Sequence, residues 1–282
     1  MKREENKVAL IVHTCDRYEL LYQGFAFFFH KHWDFNIPTN NYFATEEKCV
    51  NVNGFTNILS GKGEWSDRLF NLLKNEIKED YVLYFQEDMW LTKPVDYQFF
   101  NEIILYAMDN SVDCIKLHST PDYHTISTNL SFAGLSFTKL DNEKSDFLMS
   151  HQVTLWKKDF LMAQLQEHEH PWRNERKATK RLKKLNSDIY QIDFFGENGK
   201  AEINQNKSSV NRSEYFSVSV NGVFDECCID FLNEMSKDKS HLEYSRKLRY
   251  HYENHLTHDG KRKPRKEDFM QRLKRWLREI NN

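Results

Sequence analysis

Tyr81-Val-Leu-Tyr-Phe-Gln-Glu-Asp88-Met-Trp-Leu91 is a short apolar run that stops on two adjacent carboxylates, with Thr92-Lys-Pro94 behind it. An apolar stretch of this length between polar neighbours reads as a strand buried on both faces, not as a surface strand. Acids at the carboxyl end of such a strand stand where open α/β sheets place their ligands. Two carboxylates leaving a sheet into a crevice attract a hard divalent cation, Mn2+ or Mg2+, and the natural companion of that cation is a diphosphate. The stretch therefore points to nucleotide-sugar chemistry.

Working outward, Val8-Ala-Leu-Ile-Val12 is a second buried-strand pattern, and it runs into His13-Thr-Cys-Asp16-Arg17. Tyr18, Leu21, Tyr22, Phe25, Phe28 and Phe29 then recur at helical spacing as one apolar stripe. Residues 41–44 suit a short strand. Ser60-Gly-Lys-Gly63 signals a turn before a helix that buries Trp65, Leu69, Leu72, Leu73 and Ile77. A helix over 95–107 and a strand over 113–117 follow the acidic strand. This alternation predicts an α/β fold with a mixed, mostly parallel sheet flanked by helices. Beyond it the pattern predicts strands over 130–140, 147–157, 189–194 and 215–220, and helices over 159–166 and 175–185. The polar stretch 196–212, rich in Asn, reads as a loop.

The chain has 282 residues, 39% of them hydrophobic and 14% aromatic, enough for a large core. A net charge of −2 gives no global field favouring nucleic acid. Residues 261–282 nevertheless hold nine Lys or Arg against three acids, so basic character is a property of the tail. There Phe269, Leu273, Trp276, Leu277 and Ile280 form an apolar stripe edged by Arg272, Lys274, Arg275 and Arg278. Such a helix suits an anionic membrane surface, and equally a helix packed on the body with a solvated basic face. Five cysteines without metal spacing, an amino terminus unlike a signal sequence and no long apolar span predict a cytoplasmic protein, peripheral to the membrane at most.

Several segments can carry chemistry, each with a plain structural alternative. Gln86, Glu87 and Asp88 can hold a metal or the donor ribose, or merely form an acidic turn. Trp65, Ser66 and Arg68 open a helix whose guanidinium can grip a diphosphate, although Ser66 is also a good helix cap. Thr14, Asp16 and Arg17 border the crevice of a doubly wound sheet, although Thr14 or Asp16 can cap a helix there. In Glu167-His-Glu-His170-Pro-Trp172-Arg-Asn-Glu175, His168 and His170 lie two apart with no third ligand, which argues against zinc. Glu175 is the candidate general base, with His151 and Asp146 behind it. Asp122, Tyr123, His124, His151 and Trp172 are candidates for the acceptor pocket by position.

In order along the chain, Thr14-Cys-Asp-Arg17, Gly63-Glu-Trp-Ser-Asp-Arg68, Tyr81 to Leu91, His151-Gln-Val-Thr-Leu-Trp156, Pro171-Trp-Arg-Asn-Glu175 and Tyr215-Phe-Ser-Val-Ser-Val-Asn-Gly222 resemble GT-A-fold nucleotide-sugar glycosyltransferases, notably small bacterial and viral enzymes of surface-polysaccharide assembly. The resemblance covers about residues 7–235. It implies a glycosyltransferase domain over 1–235, with a donor half over 1–118 and an acceptor half over 119–235, followed by a helical basic extension over 236–282. It implies a nucleotide-sugar donor (a UDP-sugar foremost), a glycan or lipid-linked acceptor, and Mn2+ or Mg2+ at Glu87 and Asp88. The family's Asp-x-Asp motif falls on Gln86, Glu87 and Asp88, with Gln in place of the first Asp. Its base falls on Glu175, which suits an inverting single displacement. Two other classes share this pattern: a phage-type enzyme glycosylating nucleic-acid bases, and a non-catalytic nucleotide-sugar-binding protein.

Overall fold

A computed structural model describes residues 7–120, 123–194, 198 and 214–262. Asp122, nearly all of the predicted loop 196–212 and the predicted amphipathic helix of the tail lie outside the described residues. The chain runs β1 (Val8–His13), a 3-10 turn (Asp16–Leu21), α1 (Tyr22–His32), β2 (Thr39–Thr45), β3 (Thr56–Leu59), α2 (Trp65–Asn75) and β4 (Tyr81–Phe85). It continues through β5 (Met89–Leu91), α3 (Tyr97–Asp109) and β6 (Cys114–Lys116). Next come β7 (Thr125–Phe132), β8 (Leu135–Leu140), β9 (Thr154–Lys157), α4 (Lys158–Gln164), α5 (Pro171–Leu185) and β10 (Ile189–Ile192). The described chain closes with β11 (Tyr215–Ser217), β12 (Ser219–Val220), β13 (Val223–Phe224), α6 (Cys228–Met235) and α7 (Leu242–Glu253).

Among the described residues the main sheet has nine strands in the order β3-β2-β1-β4-β9-β6-β10-β8-β7. Only β9 and β8 run against the other strands, so the sheet is mixed and mostly parallel, as the alternation predicts. β1 and β4 lie inside it with helices on both faces, which is why their sequences are continuously apolar. Successive side chains leave a strand on opposite sides. Leu10, Val12, Leu83 and Phe85 accordingly enter one apolar layer with α1, α3, α6 and α7. Ala9, Ile11, Val82 and Tyr84 enter the other with α2, α4 and α5.

Where the chain departs from the predicted elements, the cause is local. The apolar stretch 130–140 is a hairpin, because Ala133 and Gly134 both take positive φ (45° and 78°) and reverse the chain between β7 and β8. Of residues 147–157 only Thr154–Lys157 forms a strand, wedged antiparallel between β4 and β6. β5 is too short to read from sequence and exists because β11 pairs with it from more than a hundred residues away. The expected boundary at 235 falls at the end of α6. Beyond it α7 adds Leu248 to the layer holding α1, and the Tyr244 hydroxyl accepts from Gly24 N–H (3.0 Å) and donates to Leu20 O (2.5 Å).

Gly24 lets α1 come down on the Trp90 ring; a Cβ there would stand 2.2 Å from Cζ2 and 2.3 Å from Cη2. Trp90 in turn donates its indole N–H to the Glu87 carbonyl (3.0 Å), so the ring buttresses the acidic turn. Overpacking of this kind costs about 1–3 kcal/mol. Gly24→Ala should lower the melting temperature measured by circular dichroism; an unchanged midpoint would mean that α1 and β5 separate freely.

Candidate active site

β1 and β4 pair side by side, in register from Val8↔Tyr81 to Val12↔Phe85. From β1 the chain moves outward through β2 and β3, then returns to β4 on the other side. That reversal is the topological switch point at which open α/β sheets bind ligands beyond the carboxyl ends of their strands. A cleft of about 820 Å3 opens there. Thr14, Arg17, Trp65, Arg68, Gln86, Glu87, Asp88, His151, Trp172 and Glu175 all line it, so most of the candidates named from the sequence meet in one place.

The acidic turn forms its floor. Met89 N–H bonds to Gln86 O (3.1 Å), which reverses the chain at the end of β4. Asp88 is tied into the β11–β12 segment: its Oδ2 accepts from the Ser217 hydroxyl (2.9 Å) and its carbonyl from Val218 N–H (2.8 Å). Glu87 is only 4% exposed. Burial first, and then the charge of Asp88, push its carboxyl well above the ordinary range, while Arg68 and Arg17 act in the opposite sense. Among the described residues no group of three or more His, Cys, Asp or Glu side chains is arranged to hold a metal by itself. Two adjacent carboxylates, one buried in excess negative charge, do match Mg2+ or Mn2+ shared with substrate phosphates.

Arg68 is 5% exposed. Its Nη1 donates to Thr14 O (3.2 Å) and to Ser60 Oγ (2.9 Å), and stands 3.5 Å from Glu46 Oε1. One end of the guanidinium thus pins the loop after β1 to the loops after β2 and β3, while Nε has no partner among the described residues. Asp16 and Ser66 do not line the cleft. Asp16 accepts from the backbone N–H groups of Glu46, Glu47 and Lys48 at 3.0–3.1 Å, and Ser66 Oγ accepts from Glu169 N–H (3.0 Å). Both hold loops in place.

Glu175 sits in the first turns of α5, which starts at Pro171 behind the His170 cap. Its Oε1 accepts from His151 N–H (2.9 Å). Burial raises the Glu175 carboxyl above the ordinary value, and the His151 N–H and Lys116 partly offset this. Burial presses the His151 imidazole down to about 3, so it is neutral. Its tautomer follows from its neighbours. Asn174 Nδ2 donates to Gln164 O and to Glu169 Oε2 (2.8 Å each), which turns Oδ1 towards His151 Nε2 (3.1 Å) and makes Nε2 the protonated nitrogen. Arg181 completes the network on Glu169. Trp172, 56% exposed, stands at the mouth. His124 is exposed at the start of β7, its backbone bonded to Ser145, and does not line the cleft. Nor does His168, which lies 3.5 Å from Asp67.

The lining also includes residues that the sequence does not single out: His13, Tyr18, Gln152, Ser217 and 219–222. Asn221 and Gly222, both at positive φ (56° and 75°), make the two-residue turn between β12 and β13, a turn that the Asn-Gly dipeptide itself signals. His258 clamps this hairpin, donating its N–H to Gly222 O (3.0 Å) with Nε2 2.6 Å from Ser219 Oγ.

The sequence matches no protein-family model and no curated protein. Among solved structures the chain is similar to S. aureus TarS, with a TM-score of 0.45 and 10% identity over 88% of this chain and 43% of that one. It is similar to S. aureus TarS 1-349 (0.41, 11%, covering 66% and 60%) and to a UDP-glucose pyrophosphorylase complexed with UDP-glucose (0.39, 8%, covering 67% and 90%). The chain spans less than half the length of the first of these. Among the described residues no helix is long and apolar enough to cross a membrane.

Glu87 sets a testable cost. A carboxyl whose folded pKa is raised binds its proton more tightly in the native state, so its ionisation opposes folding as pH rises through that folded value. Glu87→Gln should therefore raise the melting temperature at neutral pH. The gain should vanish as pH falls and the wild-type carboxyl becomes protonated; a gain independent of pH, or a loss at neutral pH, would contradict the buried-charge assignment.

Proposed function

We propose that this protein is a GT-A-like glycosyltransferase that moves a sugar from a nucleoside diphosphate, UDP foremost, to a hydroxyl of a glycan or lipid-linked acceptor. One observation carries the reading: Glu87, Asp88, Arg68 and Glu175 face a single cleft at the switch point of the sheet. The Arg68 charge and the acidic turn lie where β1 and β4 finish, and Glu175 reaches the same cleft from α5.

Asp88 and Glu87 would hold Mn2+ or Mg2+, which when bound supplies positive charge against the departing diphosphate. Arg68 contributes fixed positive charge to the same end without reorganising, since Thr14, Ser60 and Glu46 already hold it. Glu175 accepts the proton of the acceptor hydroxyl as that oxygen attacks the anomeric carbon and the bond to diphosphate breaks. Burial suits it to this role, since a raised carboxyl is a better base near neutrality. Attack from the face opposite the leaving group inverts the anomeric centre. Trp65 and Trp172 also line the cleft.

A thermal-shift series with UDP, GDP, CDP and dTDP, each with and without Mn2+, tests the donor assignment. UDP with Mn2+ should stabilise most, by about 2.7 kcal/mol at a hundredfold excess over Kd. No shift with any nucleotide would remove the reading. Glu175→Gln should lower kcat by about 10²–10⁴ with little change in donor affinity. In the wild type the acid limb of kcat should sit above the ordinary glutamate range, because activity needs the deprotonated form of a carboxyl whose pKa is raised. Equal damage to donor binding in Glu175→Gln would argue against its role as base.

A further inference from the structure

We propose that His13 reads the sugar of the donor, its ring nitrogens exchanging hydrogen bonds with a hydroxyl of an uncharged hexose at the end of the cleft walled by Trp65 and His151. The inference rests on the glycosyltransferase reading and names a residue and a substrate class within it.

His13 is the last residue of β1, one position past the Val12↔Phe85 pair, and its backbone is held by β2 opposite Ala44. Its side chain is 2% exposed, yet it lines the cleft. Neither Nδ1 nor Nε2 has a partner among the described residues. A buried polar group left bare costs about 1–3 kcal/mol, so native chains seldom keep one without a use. Two other deeply buried histidines are partnered: His118 Nε2 lies 3.0 Å from the Tyr123 hydroxyl, and His151 Nε2 is bonded to Asn174. His32 is also bare, but it sits at the end of α1 stacked on Phe28 and does not line the cleft.

The surroundings select the ligand group. Burial, with Arg68 and His151 nearby, holds the His13 imidazole well below its ordinary value, so it is neutral and offers one donor and one acceptor. The two nitrogens lie on different edges of the ring and cannot grip a carboxylate or phosphate as a fork does. A hydroxyl, both donor and acceptor, matches either of them.

Position within the cleft selects the sugar over the nucleotide. The His13 ring lies 6.0 Å from Trp65, and Trp65 lies 4.2 Å from His151, whose N–H holds the carboxylate of Glu175 (2.9 Å). His13 thus belongs to the wall that carries the base, where the anomeric carbon must sit. Arg17, Tyr18 and the 219–222 hairpin form another wall, joined through the packing of His258 on Tyr18. Glu87 and Glu175 on the same cleft make a sugar with its own carboxylate a poor occupant.

The test compares the thermal shifts given by UDP, UDP-glucose, UDP-galactose and UDP-glucuronate, each with Mn2+, in wild type, His13→Phe and His13→Gln. In the wild type at least one uncharged UDP-hexose should stabilise more than UDP, and UDP-glucuronate should not. His13→Phe should keep the UDP shift and lose the sugar increment, with about tenfold weaker UDP-hexose binding. Its melting temperature without ligand should hold or rise, since two bare nitrogens are removed. His13→Gln, which keeps a donor and an acceptor, should recover part of the increment, and it carries the comparison if His13→Phe does not fold. A sugar increment that survives in both variants, or a parallel loss of the UDP and UDP-hexose shifts, would overturn the assignment while leaving the glycosyltransferase reading intact. No response of the wild type to any nucleotide would overturn both.

Discussion

The parallel pairing of β1 with β4 is the constraint from which the rest of the molecule follows. Five residues of each strand are matched in register and buried on both faces, and their pairing ends at Val12 and Phe85. Because the pairing stops at one level, the segments that follow the strands, 14–18 and 86–88, emerge side by side. Because β2 and β3 lie on one side and the later strands on the other, the connections that leave β1 and β4 diverge from that gap. Apolar burial along the two strands thus creates the polar opening beyond them.

The opening is held in an electrostatically costly state. Glu87 is buried beside Asp88, with Arg68 and Arg17 only partly compensating. Burial of unbalanced charge opposes folding and is tolerated where a ligand is meant to supply the missing counter-charge. The surrounding loops are correspondingly rigid: Asp16 collects three backbone N–H groups, Arg68 joins three loops, and Trp90 supports the Glu87 carbonyl. These contacts fix the charges in place before any ligand arrives.

Other parts of the cleft lining come from distant sequence. Asp88 is bonded to Ser217, 129 positions away, and the hairpin that follows is clamped by His258. The His151 ring is oriented through Asn174, Glu169 and the half-buried Arg181, while Glu175 accepts from the His151 backbone N–H. Residues 254–262, part of the predicted helical extension, therefore help to hold the cleft wall.

Taken alone, the sequence determined the layered α/β class, the buried strands at 8–12 and 81–85, and the acids that end the second, because strand burial and helix periodicity are written locally in apolar spacing. The Asn-Gly dipeptide at 221–222 is a local signal of the same kind, since residues tolerant of positive φ suit that hairpin. It could not separate Thr14, Asp16 and Ser66, whose side chains tie segments together, from Arg17, which lines the cleft: a polar side chain near a helix start serves either purpose, and the choice depends on which distant backbone comes close. For the same reason only the tertiary structure revealed the bare ring of His13, the β5–β11 pairing and the network that holds the His151 ring. Each is defined by a partner, or the lack of one, across long stretches of chain, and local pattern carries no record of such distances.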